Sequence, residues 1–292
     1  MKFKFSFVKV LSLVLGVVLS FSEAHMDVFA IENNSTVSAS SLDSCGKYPE
    51  VEGKELVLEL NMDTGKQKEV NNVPSYDSVR RLYRVSLPNL VFITITPKSS
   101  SYKITVTNIG IDSVDSVKLN CKIYDYSGTY LQGTTKTLKH VKPGNKKWTW
   151  SVKKGETVQE KIKVTGTARD GKAKASFSGS TLRYNFAGGK YGTMKAYDGE
   201  RHHMPSKSVS PLTAYSGPAI RMIKSEHAVT ASYGNKASAK KFRAKEKAKI
   251  KAGKFLEAQR LGILDVQKQF GAKYNKAINS MVAYTESLGY TK

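Results

Sequence analysis

The chain has 292 residues, 47 Lys and Arg against 24 Asp and Glu, a formal charge of +23 and two cysteines. Two cysteines exclude a cysteine-rich zinc site, which needs more thiolates at close spacing. The length allows two domains, and the excess of positive charge points to polyanionic partners.

At the start, Lys2, Lys4 and Lys9 flank Phe3, Phe5 and Phe7, and residues 10–19 run apolar. That is a basic n-region and an h-region too short to span a bilayer comfortably. Val28-Phe29-Ala30 offers small residues where a signal peptidase reads, so residues 1–30 are expected to be a signal peptide cleaved after Ala30. A polar leader follows over residues 31–48, and no later segment is apolar enough to cross a membrane. The mature chain is therefore expected to be secreted. In an oxidising compartment Cys45 and Cys121 either form one disulfide, contributing ~3–5 kcal/mol, or remain two buried thiols.

Residues 49–188 read as β-structure. Val57–Leu60, Leu90–Ile95, Tyr102–Thr107, Val117–Tyr124, Lys147–Val152 and Val158–Val164 are predicted strands. Apolar and polar residues alternate clearly in Tyr102–Val106 and Leu119–Ile123, as half-buried strands require. Turn signals recur at Asn108-Ile109-Gly110, Tyr126-Ser127-Gly128, Pro143-Gly144-Asn145 and Arg169-Asp170-Gly171. Roughly seven to nine strands in ~140 residues predict an immunoglobulin- or fibronectin-like β-sandwich that binds, spaces or anchors. His140 stands alone there, and Trp148 and Trp150 share a strand face suited to packing. Three glycines in Ala187–Gly192 mark a hinge, and the second domain is placed at 189–292.

Three of the five histidines fall in one 26-residue window, as His202-His203 and His227. Histidine both ligates metals and accepts protons near neutral pH, so the cluster marks chemistry. Between the two segments runs an apolar stretch, Pro218 to Ile223, read as a strand. A strand, a loop, a second strand and a helix would return His227 to the pair. Ser225 is the expected cap of a helix carrying Glu226, His227, Ala228 and Val229. Ala237–Lys251, Phe255–Phe270 and Tyr274–Leu288 are three further predicted helices, punctuated by Gly253 and Gly271.

Charge concentrates in this last third: residues 201–292 carry 18 Lys and Arg against 5 acids, a balance of +13. Between Lys236 and Lys254 nine cations face Glu246 alone. Balanced solvated helices intersperse acids; this block attracts nucleic acid, teichoic acid or an anionic membrane face.

Glu200-Arg201-His202-His203-Met204-Pro205, Gly217-Pro218-Ala219-Ile220-Arg221-Met222, Glu226-His227 and Thr230-Ala231-Ser232-Tyr233-Gly234 together resemble the HNH/endonuclease VII superfamily of treble-clef (ββα-metal) nucleases. More narrowly, they resemble toxin domains of bacterial polymorphic toxin systems with paired-histidine signatures. The resemblance covers about Tyr191 to Leu288. It implies a small ββα-metal domain with C-terminal helices behind the β-sandwich, mainly β plus α+β overall. It also implies metal-dependent hydrolysis of phosphodiester bonds in DNA or RNA. In that arrangement His202 and His227 hold a divalent ion and His203 is the general base. Glu226 orients a ligand or completes the shell, and Arg221 and Lys224 stand as transition-state partners. Lys224, Lys236, Lys240, Lys241, Arg243 and Lys245 are candidate nucleic-acid contacts.

The sequence departs from the pattern in two places. No Asn lies between His203 and His227, and the residue four beyond His227 is Ala231 where many HNH proteins carry a further His. An ion held by two imidazoles keeps several waters, which suits Mg²⁺, Mn²⁺, Zn²⁺ or Ni²⁺. The resulting expectation is a secreted, toxin-like endonuclease, with an acidic immunity protein as a partner for the lysine block. The alternative is a non-catalytic exported protein whose basic tail binds anionic cell-wall polymer or extracellular DNA.

Overall fold

The first nine strands are β1 (Leu56–Asn61), β2 (Gln67–Val70), β3 (Leu90–Pro97), β4 (Ser101–Asn108), β5 (Val114–Tyr124), β6 (Tyr130–Val141), β7 (Gly144–Ser151), β8 (Gln159–Asp170) and β9 (Ala173–Tyr184). They are seen in a computed structural model that describes residues 47–75, 89–110 and 112–290. The expected signal peptide, the leader as far as residue 46, and Cys45 lie outside the described residues.

These strands form two antiparallel sheets, one in the order β2-β1-β3-β4-β7 and the other β6-β5-β8-β9. Each turns one set of alternating side chains toward the other, so Leu58, Ile93 and Ile104 meet Leu119, Cys121, Ile162 and Val164 in one core. Each such aliphatic side chain contributes about 1.5–3 kcal/mol when fully buried. The expected turns at Gly128 and Gly171 join β5 to β6 and β8 to β9, with φ of 93° and 53° that suit glycine. Trp148 and Trp150 pack half-buried against the core. Cys121 is a free thiol within it, and burial pushes its pKa up to about 12. One ion pair is also buried: the Arg183 guanidinium meets Glu160 at 2.5 Å and lies 4.5 Å from the Tyr102 ring centre. β2, β6 and β9 do not announce themselves as apolar runs. β2 and β6 are edge strands with mostly polar, exposed side chains.

The chain then builds a smaller sheet. β10 (Gly188–Lys190), β11 (Glu200–His203) and β12 (Pro218–Met222) pair in the order β10-β12-β11. Of the three glycines read as a hinge, Gly192 lies in the 3₁₀ turn Tyr191–Thr193 just after β10, and Gly188 and Gly189 belong to the strand itself. Gly188 is required there by close approach, since a Cβ would lie 1.8 Å from the Ala277 carbonyl. Four helices follow: α1 (Lys224–His227), α2 (Ala237–Lys251), α3 (Phe255–Phe270) and α4 (Asn275–Ser287). The last three match the apolar spacing closely. α1 differs from expectation, because its N-cap is Ile223 with no side-chain cap and the helix ends at His227. Ser225 therefore does not cap it.

Ile220, Met222, Ile263, Ile278 and Met281 form a second core that also takes in Val158 and Phe186. The N-terminal described segment crosses onto the last helix: Tyr48 N–H donates to Asn279 Oδ1 at 2.9 Å, and Asn275 Nδ2 donates to Pro49 O at 2.9 Å. The result is β-rich with few helices, an α+β protein. No helix among the described residues is long and apolar enough to cross a membrane.

Candidate active site

β11 is an edge strand, and its pairing with β12 fixes which way each side chain points. The register sets Glu200 opposite Met222, Arg201 opposite Arg221, His202 opposite Ile220 and His203 opposite Ala219. Alternation puts Glu200 and His202 on one face and Arg201 and His203 on the other. α1 folds back over the first face. There the His227 Nδ1–H donates to Glu200 Oε2 at 2.6 Å, and the His227 ring lies 4.8 Å from the His202 ring, edge to face. His202 and His227 therefore meet on this face, while His203 leaves the strand on the other.

Each imidazole sits in a distinct environment. His202 is buried, 4% exposed. Burial, helped by the neighbouring His227 and His203, pushes its pKa down to about 3, so the ring is neutral at pH 7. His203 stacks on Tyr191 with ring centres 4.0 Å apart, and its Nε2–H donates to the Ala214 carbonyl at 3.0 Å. A carbonyl only accepts, so this bond fixes the tautomer and leaves the lone pair on Nδ1. Burial also lowers the His203 pKa, with the positive charges of Lys207 and Arg201 acting in the same direction. His203 is thus a neutral proton acceptor of fixed orientation. His227, by donating from Nδ1 to a carboxylate, has Nε2 as its acceptor in the neutral form. Carboxylate–histidine pairs of this kind orient metal ligands.

All three histidines line an open cavity of about 490 Å³. Arg201, Lys207, Arg243, Tyr233 and Asn235 are among the other residues of its wall. The Arg243 guanidinium donates to the Ser232 and Gly234 carbonyls at 2.6 and 2.8 Å, which holds the 232–235 loop over the site. On the other side, Glu246 of α2 is buried at 1% exposure and accepts from the Ser206 N–H at 3.2 Å. Burial raises the Glu246 pKa to about 7 against the opposing pull of Ser206 and Arg243.

The structure assigns other work to two expected site residues. Arg221 is 5% exposed; it donates to the carbonyls of Asn185 at 3.0 Å and Lys195 at 2.9 Å, and stacks 4.2 Å from the Tyr197 ring centre. Its donors hold the segment before the site and do not reach the cavity. Glu226 accepts from Lys273 Nζ at 2.6 Å and Tyr274 Oη at 2.7 Å, so it anchors α1 to the following helices. Neither residue lines the cavity. Lys224, Lys236, Lys240, Lys241 and Lys245 are exposed and do not line it, and of the basic residues expected to contact nucleic acid Arg243 alone does.

Residues the sequence left without a role include Tyr191, Lys207 and Glu200. Glu200 was legible, since it stands two residues before His202 and strand alternation puts both on one face. Tyr191 gave no signal, because a 3₁₀ turn brings it to His203 from outside the strand.

A divalent ion can be tested against these donors. Among the described residues no group of three His, Cys, Asp or Glu side chains is arranged to hold an ion. What the chain offers is two imidazoles, one of them backed by a carboxylate. That set fits an ion whose remaining positions go to water and substrate oxygens.

No family model and no curated protein matches the chain. Among solved structures, a Bordetella pertussis protein given the name ApaA is 14% identical over 47% of this chain and 97% of its own, with a TM-score of 0.25. The C-terminal domain of wzt is 9% identical over 48% of this chain and 72% of its own, with a TM-score of 0.21. Both scores are too low to carry an argument about fold or function.

Proposed function

We propose that residues 189–292 are an HNH-like ββα-metal nuclease, carried behind an immunoglobulin-like β-sandwich in a chain made for export. The observation that carries this reading is the His203 tautomer. Ala214 holds Nε2–H, and Nδ1 is left as a proton acceptor beside two further neutral-capable imidazoles in a basic cavity.

The chemistry follows from these groups. A phosphodiester seated in the cavity has its negative charge offset by Lys207 and Arg243. A water on the His203 side gives its proton to Nδ1 as its oxygen attacks phosphorus and the ester bond to the leaving sugar oxygen breaks. The base is neutral near pH 7, so no proton has to be removed from it first. His202 and His227 would hold a divalent ion, which when bound supplies charge neutralisation at the phosphate and help for the leaving oxygen. Glu200 fixes the His227 ring, and Tyr191 fixes the plane of His203. The basic block on α2 then serves substrate binding, and an acidic immunity protein is the partner its charge would fit.

The test is nicking of supercoiled plasmid by residues 31–292 with Mg²⁺, Mn²⁺, Ni²⁺ or Zn²⁺, and with EDTA. Ion-dependent nicking that EDTA abolishes is expected. A gel shift without cutting under every ion would sink the reading and leave a basic, exported binding protein.

A further inference from the structure

The β6-β5-β8-β9 sheet has one face in the core, and its other face is exposed. The register defines that exposed face row by row. Lys122 lies directly opposite Lys163, and Arg169 directly opposite Lys174. Lys118 lies opposite Thr137 and Thr167, Lys139 opposite Ser116, and Lys161 opposite Leu182. All seven cations are exposed. The positions between them are filled mainly by Ser, Thr and Asn, and the rows carry no Asp or Glu. None of the seven joins an ion pair among the described residues.

Like charges directly opposite on a sheet are destabilising. This face keeps two such pairs with no acid to relieve them, and a polyanion laid across it would do so. The face is also a track. Four strands ~4.8 Å apart span ~14 Å, and the eight steps from Lys161 to Arg169 run ~27 Å. That length matches about eight base-pair steps of ~3.4 Å. The middle of the face holds hydroxyls and ammonium groups and no aromatic ring for base stacking. Its three tyrosines, Tyr124, Tyr130 and Tyr184, sit at one end; the first two pair edge to face at 6.0 Å, and Tyr184 stacks on Phe186 with ring centres 5.1 Å apart. Such a surface suits a phosphate backbone and not unstacked bases or a lipid interior.

We infer that the exposed face of this sheet is a second polyanion site that binds duplex DNA through its phosphates, without reading sequence. The identity of the polyanion rests on the nuclease reading; the site itself rests on the register and the charge. It would hold the substrate while the histidine cavity acts.

The experiment is equilibrium binding of a 30-base-pair duplex to the full mature chain in EDTA, titrated with salt. One variant carries Lys118→Gln, Lys122→Gln, Lys161→Gln and Lys163→Gln. The control carries Lys136→Gln, Lys142→Gln, Lys146→Gln and Lys147→Gln, an equal charge change at exposed lysines off this face. Each phosphate contact contributes about 0.9 to the slope of log affinity against log salt. The face variant is expected to lose up to about 3.6 in slope and at least tenfold in affinity, with the control close to the unchanged chain. Equal effects of the two sets, or an unchanged slope in the face variant, would overturn the site. So would a face variant that binds duplex normally but loses anionic phospholipid vesicles or a glycerol-phosphate polymer. Because EDTA removes the cutting, absence of nuclease activity with the slope difference intact would refute the enzyme and leave this surface standing.

Discussion

Replacing Glu246 by glutamine tests how the segment after the histidine pair is held. The carboxyl group is buried on α2 and accepts from the Ser206 N–H, three residues beyond His203. Its pKa rises from an ordinary 4.5 to about 7, mainly through burial. A raised folded-state value means the contribution to stability is complete below pH 4.5 and is lost as pH rises through 7. At about 1.36 kcal/mol per pH unit, the loss amounts to about 3 kcal/mol by pH 8. Glutamine keeps an acceptor for Ser206 and carries no charge. Glu246→Gln should therefore match the unchanged protein at pH 4 and exceed it by about 3 kcal/mol at pH 8. His202 titrates in the opposite sense, its lowered pKa costing stability as pH falls below about 6.5. It is present in both proteins and cancels from the difference. The assay is urea unfolding from pH 4 to pH 8 at constant ionic strength. A difference that does not change with pH, or a variant weaker at pH 8, would refute the reasoning.

Glu200→Gln, which weakens the bond that orients His227, should raise the ion concentration for half-maximal cleavage by about 10–100-fold with the circular dichroism unchanged. An unmoved half-saturation point would show that Glu200 does not serve a ligand. Arg221→Ala leaves the Asn185 and Lys195 carbonyls without their donors and should cost about 3 kcal/mol in urea. Its cleavage rate per folded molecule should stay normal, and a selective loss of rate would return Arg221 to the site. Gly188→Ala forces a methyl group against the Ala277 carbonyl and should cost about 3 kcal/mol. Gly171→Ala meets open space and loses only about 1–2 kcal/mol to its positive φ, so the reverse ranking would contradict the packing described.

Much of this was legible because periodicity and burial agree. Phe255–Phe270 follows a 3.6-residue spacing that packing on the second core enforces, and Ala237–Lys251 is rich in strong helix formers; both form helices over those residues. Pro218 to Met222 is apolar except for Arg221 and buried at every position, because it is the central strand of its sheet. β6 was missed for the opposite reason, since an edge strand of threonines and lysines carries little apolar signal. At the site, the convergence of His202, His203 and His227 followed from residue type and spacing. The fates of Arg221 and Glu226 did not. Each is settled by groups distant in sequence, the Asn185 and Lys195 carbonyls for one and Lys273 with Tyr274 for the other. A cation in a strand and an acid on a short helix look alike to the sequence whether they meet a phosphate or a carbonyl.

The central claim is that His203 removes a proton from water during phosphodiester cleavage. Single-turnover plasmid cleavage between pH 5 and pH 8 tests it, comparing the unchanged protein with His203→Ala, each with and without added imidazole. The lowered His203 pKa places the rising limb below pH 6.5 and a plateau by pH 7. The variant should lose about 10²–10⁴ in rate and recover part of it with imidazole. A variant that cuts at the normal rate, or a rising limb centred well above pH 7, would contradict the account.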